Sequence, residues 1–302
     1  MSKRLFAGIE TGGTKLLARI SEIESGVVLG EERWPTTSPD AAANSISSFL
    51  KSASASGDLV AIAMAAFGPL IVDPASSEYG RMLETPKPGW TGSNLRSALE
   101  QQFEIPIAVD SDVNAAAIAE QAIGAGKQLP SVAYVTVGTG IGAGLALAGK
   151  SLKGALHPEA GHLPIVRRPG DDMPSVCPFH ASCAEGLVSG PALRKRLGED
   201  RDLADDPQIM DLAADYLGQL AATLVLAWTP HRIVWGGGGI SSSLTIISAI
   251  EQKMCEALGG YGVGDAAKQP GFCVAASLKN AGLEGAMLIA RNLAESATKK
   301  AP

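Results

Sequence analysis

Short apolar runs alternate with longer amphipathic stretches along the chain, and this alternation sets the predicted elements. Leu5-Phe6-Ala7-Gly8-Ile9, Val60 to Ala65, Ile107-Ala108-Val109, Val132 to Val137 and Arg232-Ile233-Val234-Trp235 read as short buried strands. Helical patterns cover residues 41–54, 94–103, 113–123, 209–228, 243–258 and 283–297. Strands mixed with helices in this way predict an α/β protein with largely buried sheets. Two strands have the same sequel. Each enters a turn rich in glycine and threonine, Glu10-Thr11-Gly12-Gly13-Thr14-Lys15 or Thr136-Val137-Gly138-Thr139-Gly140, and a second strand-like run follows, Lys15 to Ile20 or Ala143 to Ala148. Both read as hairpins, and the repetition points to two similarly built lobes that part near residues 112–130.

Composition narrows the class. Glycine is abundant, 35 of 302 residues, yet Gly and Pro together stay below the ~25–30% of low-complexity chains. Four cysteines are too few for a disulfide scaffold. No window approaches ~18 apolar residues without polar interruption, so no membrane association is expected. The apolar run after Met1-Ser2-Lys3-Arg4 is too short for a signal peptide, and a cytoplasmic location is the expectation. The net charge of −6 without a long basic run argues against a nucleic-acid partner.

The glycine clusters contain two decoys. Gly144 to Ser151 matches the phosphate-loop spacing, but its intervening Leu and Ala alternate like a strand and do not open a helix. Gly138-x-Gly140-x-x-Ala143 imitates a dinucleotide fingerprint and leads into the same apolar alternation. The two Gly/Thr turns themselves can offer backbone amides and hydroxyls to an anion, one turn per lobe, and could grip a polyphosphate between them. Ordinary hairpin turns are the alternative. Asp110-Ser111-Asp112-Val113-Asn114 follows a strand and precedes a helix, the place where ligands bind in α/β folds. One of its carboxylates could accept a proton from a substrate hydroxyl, or Ser111 or Asp112 could simply cap the helix. Gly236-Gly237-Gly238-Gly239 is either a plain strand-to-helix turn or bare backbone for a flat ring.

The most specific constellation is Cys177-x2-His180-x2-Cys183 with His162 fifteen residues upstream. These four residues suit a closed tetrahedral zinc site, structural in role, that ties down the loop carrying Glu159 and Glu185. Cys255 and Cys273 fall outside it and read as buried apolar residues.

Taken together, Gly8-Ile9-Glu10-Thr11-Gly12-Gly13-Thr14-Lys15, Ala66-Phe67-Gly68-Pro69, Thr85-Pro86-Lys87-Pro88-Gly89-Trp90, the aspartate motif, the second glycine turn, the zinc stretch and Gly282-Leu283-Glu284-Gly285-Ala286 resemble the ROK family of sugar kinases, in its fructokinase-like branch. The resemblance spans essentially the whole chain. It implies an α/β, two-lobed, actin-like (ribonuclease-H-like) ATPase fold with its active site in the interlobe cleft. Residues 1–112 would form the N-terminal lobe and 113–302 the C-terminal lobe, with a final helix over about 284–297 returning to the first. It further implies transfer of the γ-phosphoryl of Mg-ATP to the 6-hydroxyl of fructose, with Asp112 as the base.

By the same resemblance Gly12, Gly13, Thr14 and Lys15 form the first phosphate element and Thr136, Gly138, Thr139 and Gly140 the second. Gly236, Gly237, Gly238, Gly239 and Gly285 would lie near adenosine. Gly68, Pro69, Ser111, Asp112, Glu159 and Glu185 would meet the sugar, and His162, Cys177, His180 and Cys183 would hold zinc. A homodimer is implied. Two departures bear on specificity: Glu10 stands where most of the family has Asp, and Ser111 stands where glucose-directed members commonly have Asn, which disfavours glucose as the main substrate. The other readings are a kinase for mannose, glucose or an N-acetylated amino sugar, and a non-catalytic sugar sensor. Repressors of the family carry a helix-turn-helix ahead of the first motif, and only nine residues precede Glu10.

Overall fold

The computed structural model describes residues 2–198, 201–240 and 244–298. The chain divides into two compact units. The first is Met1–Ala119 with Ser151–His157 and Asn280–Pro302; the second is Glu120–Lys150 with Pro158–Lys279.

The first unit opens with three strands, β1 (Arg4–Thr11), β2 (Lys15–Glu22) and β3 (Val28–Pro35), followed by helix α1 (Pro39–Ala53). Strand β4 (Asp58–Ala66), helix α2 (Leu95–Phe103) and strand β5 (Ile107–Ser111) complete a sheet of order β3-β2-β1-β4-β5. The β1–β2 hairpin is antiparallel, as its sequence predicts, whereas β4 and β5 join in parallel. Strand β3 escapes sequence reading because it lies at the sheet edge and carries Glu31, Glu32 and Arg33 on largely exposed positions, so it lacks an apolar signature. Helix α3 (Asp112–Ala122) begins as β5 ends.

The second unit holds the other hairpin, β6 (Ser131–Val137) and β7 (Ile141–Leu147), followed by β8 (Lys150–Ser151). The turn after β7 places Ala148 and Gly149 both at positive φ (50° and 76°), as a two-residue hairpin turn demands, so this segment is a hairpin and not a phosphate loop. Short helices α4 (Ala184–Val188) and α5 (Gly190–Leu197) precede the long α6 (Pro207–Trp228), and β9 (Ile233–Gly236), α7 (Leu244–Leu258), α8 (Gly264–Ala267) and β10 (Cys273–Ala275) follow. Ser243, the expected start of α7, lies outside the described residues. The sheet order is β10-β9-β6-β7-β8. Helix α6 is long and apolar enough to cross a membrane by length and composition; its Tyr216, Leu217, Leu220 and Leu224 are instead buried in this unit's core.

The last helix, α9 (Ala281–Thr298), packs on the first sheet, where Met287, Ala290 and Ala294 meet Phe6, Ala61 and Ala63. Small residues let it lie close. A Cβ on Gly285 would fall inside the backbone of Ala115 in α3, and Ala286 packs with Ala65 and Ala115. This packing keeps the first turns of α3 in the first unit, so the division falls within α3 and not at residue 112. Gly285 is thus required by helix packing, independently of any nucleotide. Replacing it with Ala forces backbone apart and is expected to cost about 1–3 kcal/mol, read as a lower urea midpoint; an unchanged midpoint would contradict the packing account.

Candidate active site

In the first unit, strand register gathers the candidate residues. Thr11 pairs with Ala66 and Ala66 with Ser111, so the carboxyl ends of β1, β4 and β5 are level. The turn at Gly12-Gly13, the Phe67-Gly68-Pro69 loop and Asp112 therefore leave the sheet at one edge, the edge where ligands bind in α/β sheets. Among the described residues, nothing beyond its own chain neighbours lies within 4 Å of a Cβ placed on Gly13, so that face of the turn is open to an incoming group. The turn is closed by Gly12 N–H donating to the Lys15 carbonyl (2.8 Å), and it is braced from outside: Thr36 Oγ1 donates to the Gly12 carbonyl (2.6 Å) and Lys87 Nζ to the Gly13 carbonyl (2.8 Å). Lys87 and the buried Trp90, whose Nε1 donates to the Thr37 carbonyl (2.8 Å), thus give the Pro-Lys-Pro-Gly-Trp segment a bracing role on the first turn.

The aspartate motif divides its labour. Ser111 Oγ accepts the Asn114 N–H (3.3 Å) and caps α3, which leaves the partly buried Asp112 free of that task. Asp112 Oδ1 accepts the N–H of its neighbour Val113 at 2.8 Å, a local backbone contact. Burial pushes its carboxyl up to about 7; the Val113 N–H opposes this, and the Glu10 carboxylate adds to it. Glu10 is itself raised by burial, against the pull of Lys15 and of the Leu283 N–H at the start of α9, which it accepts at 3.1 Å.

Asp110 is the buried anchor that sequence reading left unassigned. Its Oδ1 accepts Ser111 N–H and Asn114 Nδ2 (both 2.8 Å), and its Oδ2 accepts Ser151 Oγ (2.5 Å) and Lys153 Nζ (3.3 Å). The same 151–157 segment ends at buried His157, whose Nε2 accepts the Leu70 N–H (3.1 Å) and so supports the Gly68-Pro69 loop. A seven-residue strap far away in sequence thereby holds both the aspartate motif and the loop, and only tertiary structure reveals it.

In the second unit Thr136 pairs with Gly236, so the second Gly/Thr turn and the Gly236-Gly239 turn leave adjacent parallel strands. Their glycines separate into two kinds. Among the described residues Gly138 and Gly238 have no neighbour within 4 Å of a Cβ, whereas a Cβ on Gly237 would strike the Val137 backbone and one on Gly236 the Tyr134 ring. Gly239 N–H donates to the Val137 carbonyl (2.9 Å). Thr139 is exposed, and Gly140 abuts the Glu185 carboxylate. Glu159 is exposed and stands before the 3₁₀ turn at Ala160–His162.

His162, Cys177, His180 and Cys183 come together, their ligand atoms all within 4.8 Å of one another. Cys177 Sγ lies 3.7 Å from His162 Nδ1 and 3.5 Å from His180 Nδ1, and Cys183 Sγ lies 3.8 Å from His162 Nδ1. Ligands about 2.0–2.3 Å from a tetrahedral zinc would be separated by roughly 3.5 Å, so the donor set fits. Without metal, burial pushes the Cys183 thiol up to about 11, so binding would release its proton. Cys273 lies apart in the core, its thiol pushed up to about 12 by burial. The loop is pinned by Asp171, which Arg196 grips at 2.8 and 2.9 Å and Tyr216 OH at 2.6 Å. Arg196 holds the Asp171 carboxyl down to about 2.

The chain belongs to the ROK family, whose model matches residues 6–293. It is similar to the fructokinase of Pediococcus pentosaceus, 35% identical over 95% of this chain and 98% of that protein. It is similar also to the fructokinase of Zymomonas mobilis, 38% identical over 78% of this chain and 80% of that one. The crystal structure of a ROK family glucokinase from Streptomyces griseus in complex with glucose and AMPPNP matches with a TM-score of 0.73 at 26% identity, over 95% of this chain and 99% of that one. The two mixed sheets and their helices are the α/β two-lobed fold of these sugar kinases.

The environment of Asp112 yields a direct prediction. Its carboxyl should titrate near pH 7 by NMR, and Glu10→Gln should lower that midpoint because a neighbouring negative charge is removed. An ordinary carboxylate midpoint in the unmodified protein would contradict the site as described.

Proposed function

We propose that this chain is an ATP-dependent hexose kinase whose main acceptor is fructose, phosphorylated at the 6-hydroxyl. The observation that carries the reading is the register of β1, β4 and β5, which brings Asp112 and the open first glycine turn to one sheet edge in a chain so similar to fructokinases. In this reading the Asp112 carboxylate takes the proton of the sugar hydroxyl as its oxygen attacks the γ-phosphorus; the bond to the bridging oxygen breaks and ADP leaves. A base with a pKa near 7 suits this task at neutral pH. As the family resemblance implies, Gly12, Gly13, Thr14 and Lys15 bind phosphate oxygens, as do Thr136, Gly138, Thr139 and Gly140, and these groups stabilise the transferring phosphoryl. A magnesium ion arriving with the nucleotide neutralises phosphate charge.

Gly236 to Gly239 receive the adenosine, chiefly at the open Gly238. Glu159, Glu185 and the Gly68-Pro69 loop bind sugar hydroxyls, while Ser111 acts through the cap that sets where Asp112 lies. His162, Cys177, His180 and Cys183 hold a structural zinc that leaves no position for substrate. We place the enzyme in the cytoplasm as a homodimer. Similarity to the glucokinase supports glucose as a secondary acceptor.

Incubation with Mg-ATP and fructose should yield fructose 6-phosphate by ³¹P NMR; a 1-phosphate, or no product with any hexose, would overturn the reading. Asp112→Asn should keep AMP-PNP affinity while lowering kcat at least about a hundredfold. Near wild-type turnover would remove the base assignment. Metal analysis should find one zinc per chain, and Cys177→Ser should lose it and raise the KM for fructose more than that for ATP; a metal-free native protein would contradict the zinc assignment.

A further inference from the structure

The backbone from Val137 to Ile141 is fixed by close contacts from three separate segments of the second unit. A Cβ on Gly237 would strike the Val137 backbone, one on Gly161 the Ile141 backbone, and one on Gly190 would lie 2.7 Å from the Gly138 carbonyl. Gly190 N–H also donates to that carbonyl at 2.7 Å. One side chain joins this cradle. Glu185 Oε2 accepts the Ile141 N–H at 2.9 Å, and it lies 2.5 Å from where a Cβ on Gly140 would stand. Its other oxygen, Oε1, lies 3.8 Å from Nε2 of His162, whose Nδ1 faces the two cysteines. Glu185 follows the ligand Cys183 by two residues, in the first turn of α4, and Cys183 Sγ itself accepts the Gly186 N–H at 3.3 Å. The carboxylate therefore has one oxygen on the glycine turn and the other toward the metal cluster.

We infer that Glu185 is a positioning residue for the second glycine turn, holding Gly138-Thr139-Gly140 in place for nucleotide phosphates from the side of the His/Cys cluster. This rests on the kinase reading, in which that turn binds phosphate, and it adds to Glu185 a duty that operates before any sugar arrives. The physical basis is a charge-assisted hydrogen bond to a backbone amide of a loop otherwise held by glycine packing and by backbone hydrogen bonds such as Gly190 N–H to the Gly138 carbonyl. A neutral oxygen at the same place keeps most of that bond, whereas its removal leaves the amide without its partner. A residue that only touched sugar would have no effect on nucleotide binding measured alone.

The test is a titration of Mg-AMP-PNP without sugar, by calorimetry, on wild-type protein and on Glu185→Ala, Glu185→Gln and Glu185→Asp, with zinc content and Tm recorded for each. Glu185→Ala is expected to weaken AMP-PNP binding about tenfold, and Glu185→Gln to stay within about threefold of wild type. Glu185→Asp draws the carboxylate back by one methylene, so it should weaken binding as the Ala variant does and decides the matter if the Ala variant does not fold. Nucleotide affinity within about twofold of wild type in both shortened variants, with only fructose binding impaired, would overturn the inference. Failure of the wild type to bind AMP-PNP would overturn the kinase reading itself, and the inference with it.

Discussion

Main chain packed directly on main chain is the constraint from which much of this structure follows. At Gly161, Gly237 and Gly285 the neighbour of the glycine is another backbone, nearer than a methyl group would permit. Two of these contacts bear on the segment from Val137 to Ile141, and the third sets how closely α9 approaches α3. Among the 35 glycines of the chain, two purposes bear on the site. Some bring backbone to backbone inside a unit. Others, such as Gly13, Gly138 and Gly238, have no close neighbour among the described residues and leave a turn clear for an approaching group.

The first unit rests its chemistry on a second device, two acidic residues separated by a single position. Asp110 is buried and fully engaged, gripping the cap residue, Asn114, Ser151 and Lys153. Asp112 is left with local backbone hydrogen bonds and a nearby Glu10, and its carboxyl sits near neutrality. Environment, not residue type, separates the anchor from the reactive group. The side chain of Glu10 also reaches the Leu283 amide near the start of α9, so this residue ties β1 to the final helix while it perturbs Asp112.

Sequence patterns reveal the features that depend on local spacing. Both hairpins, the Cys-x2-His-x2-Cys cluster with His162, and the strand-to-helix passage at Asp112 are legible, because periodicity and ligand spacing act over a few residues. Strand β3 is not, since an edge strand bearing Glu31, Glu32 and Arg33 has no apolar alternation to read. The supports of the site are hidden for a different reason. Asp110 meets Lys153, His157 meets Leu70, and Asp171 meets Arg196 across 25 to 87 residues. Glycines can carry two readings at once: Gly237 and Gly285 read as nucleotide contacts by resemblance, and close packing against Val137 and Ala115 requires them as well.

On the proposed reading, these turns and Asp112 serve phosphoryl transfer to a ketohexose. Its most direct test is the rate of ADP release from Mg-ATP with fructose, glucose, mannose and N-acetylmannosamine compared under one set of conditions. Turnover should show its highest kcat/KM for fructose and should fall as pH drops through about 7, where Asp112 takes up its proton. Sugar-independent ADP release, or a preference for the N-acetylated sugar over fructose, would contradict this reading.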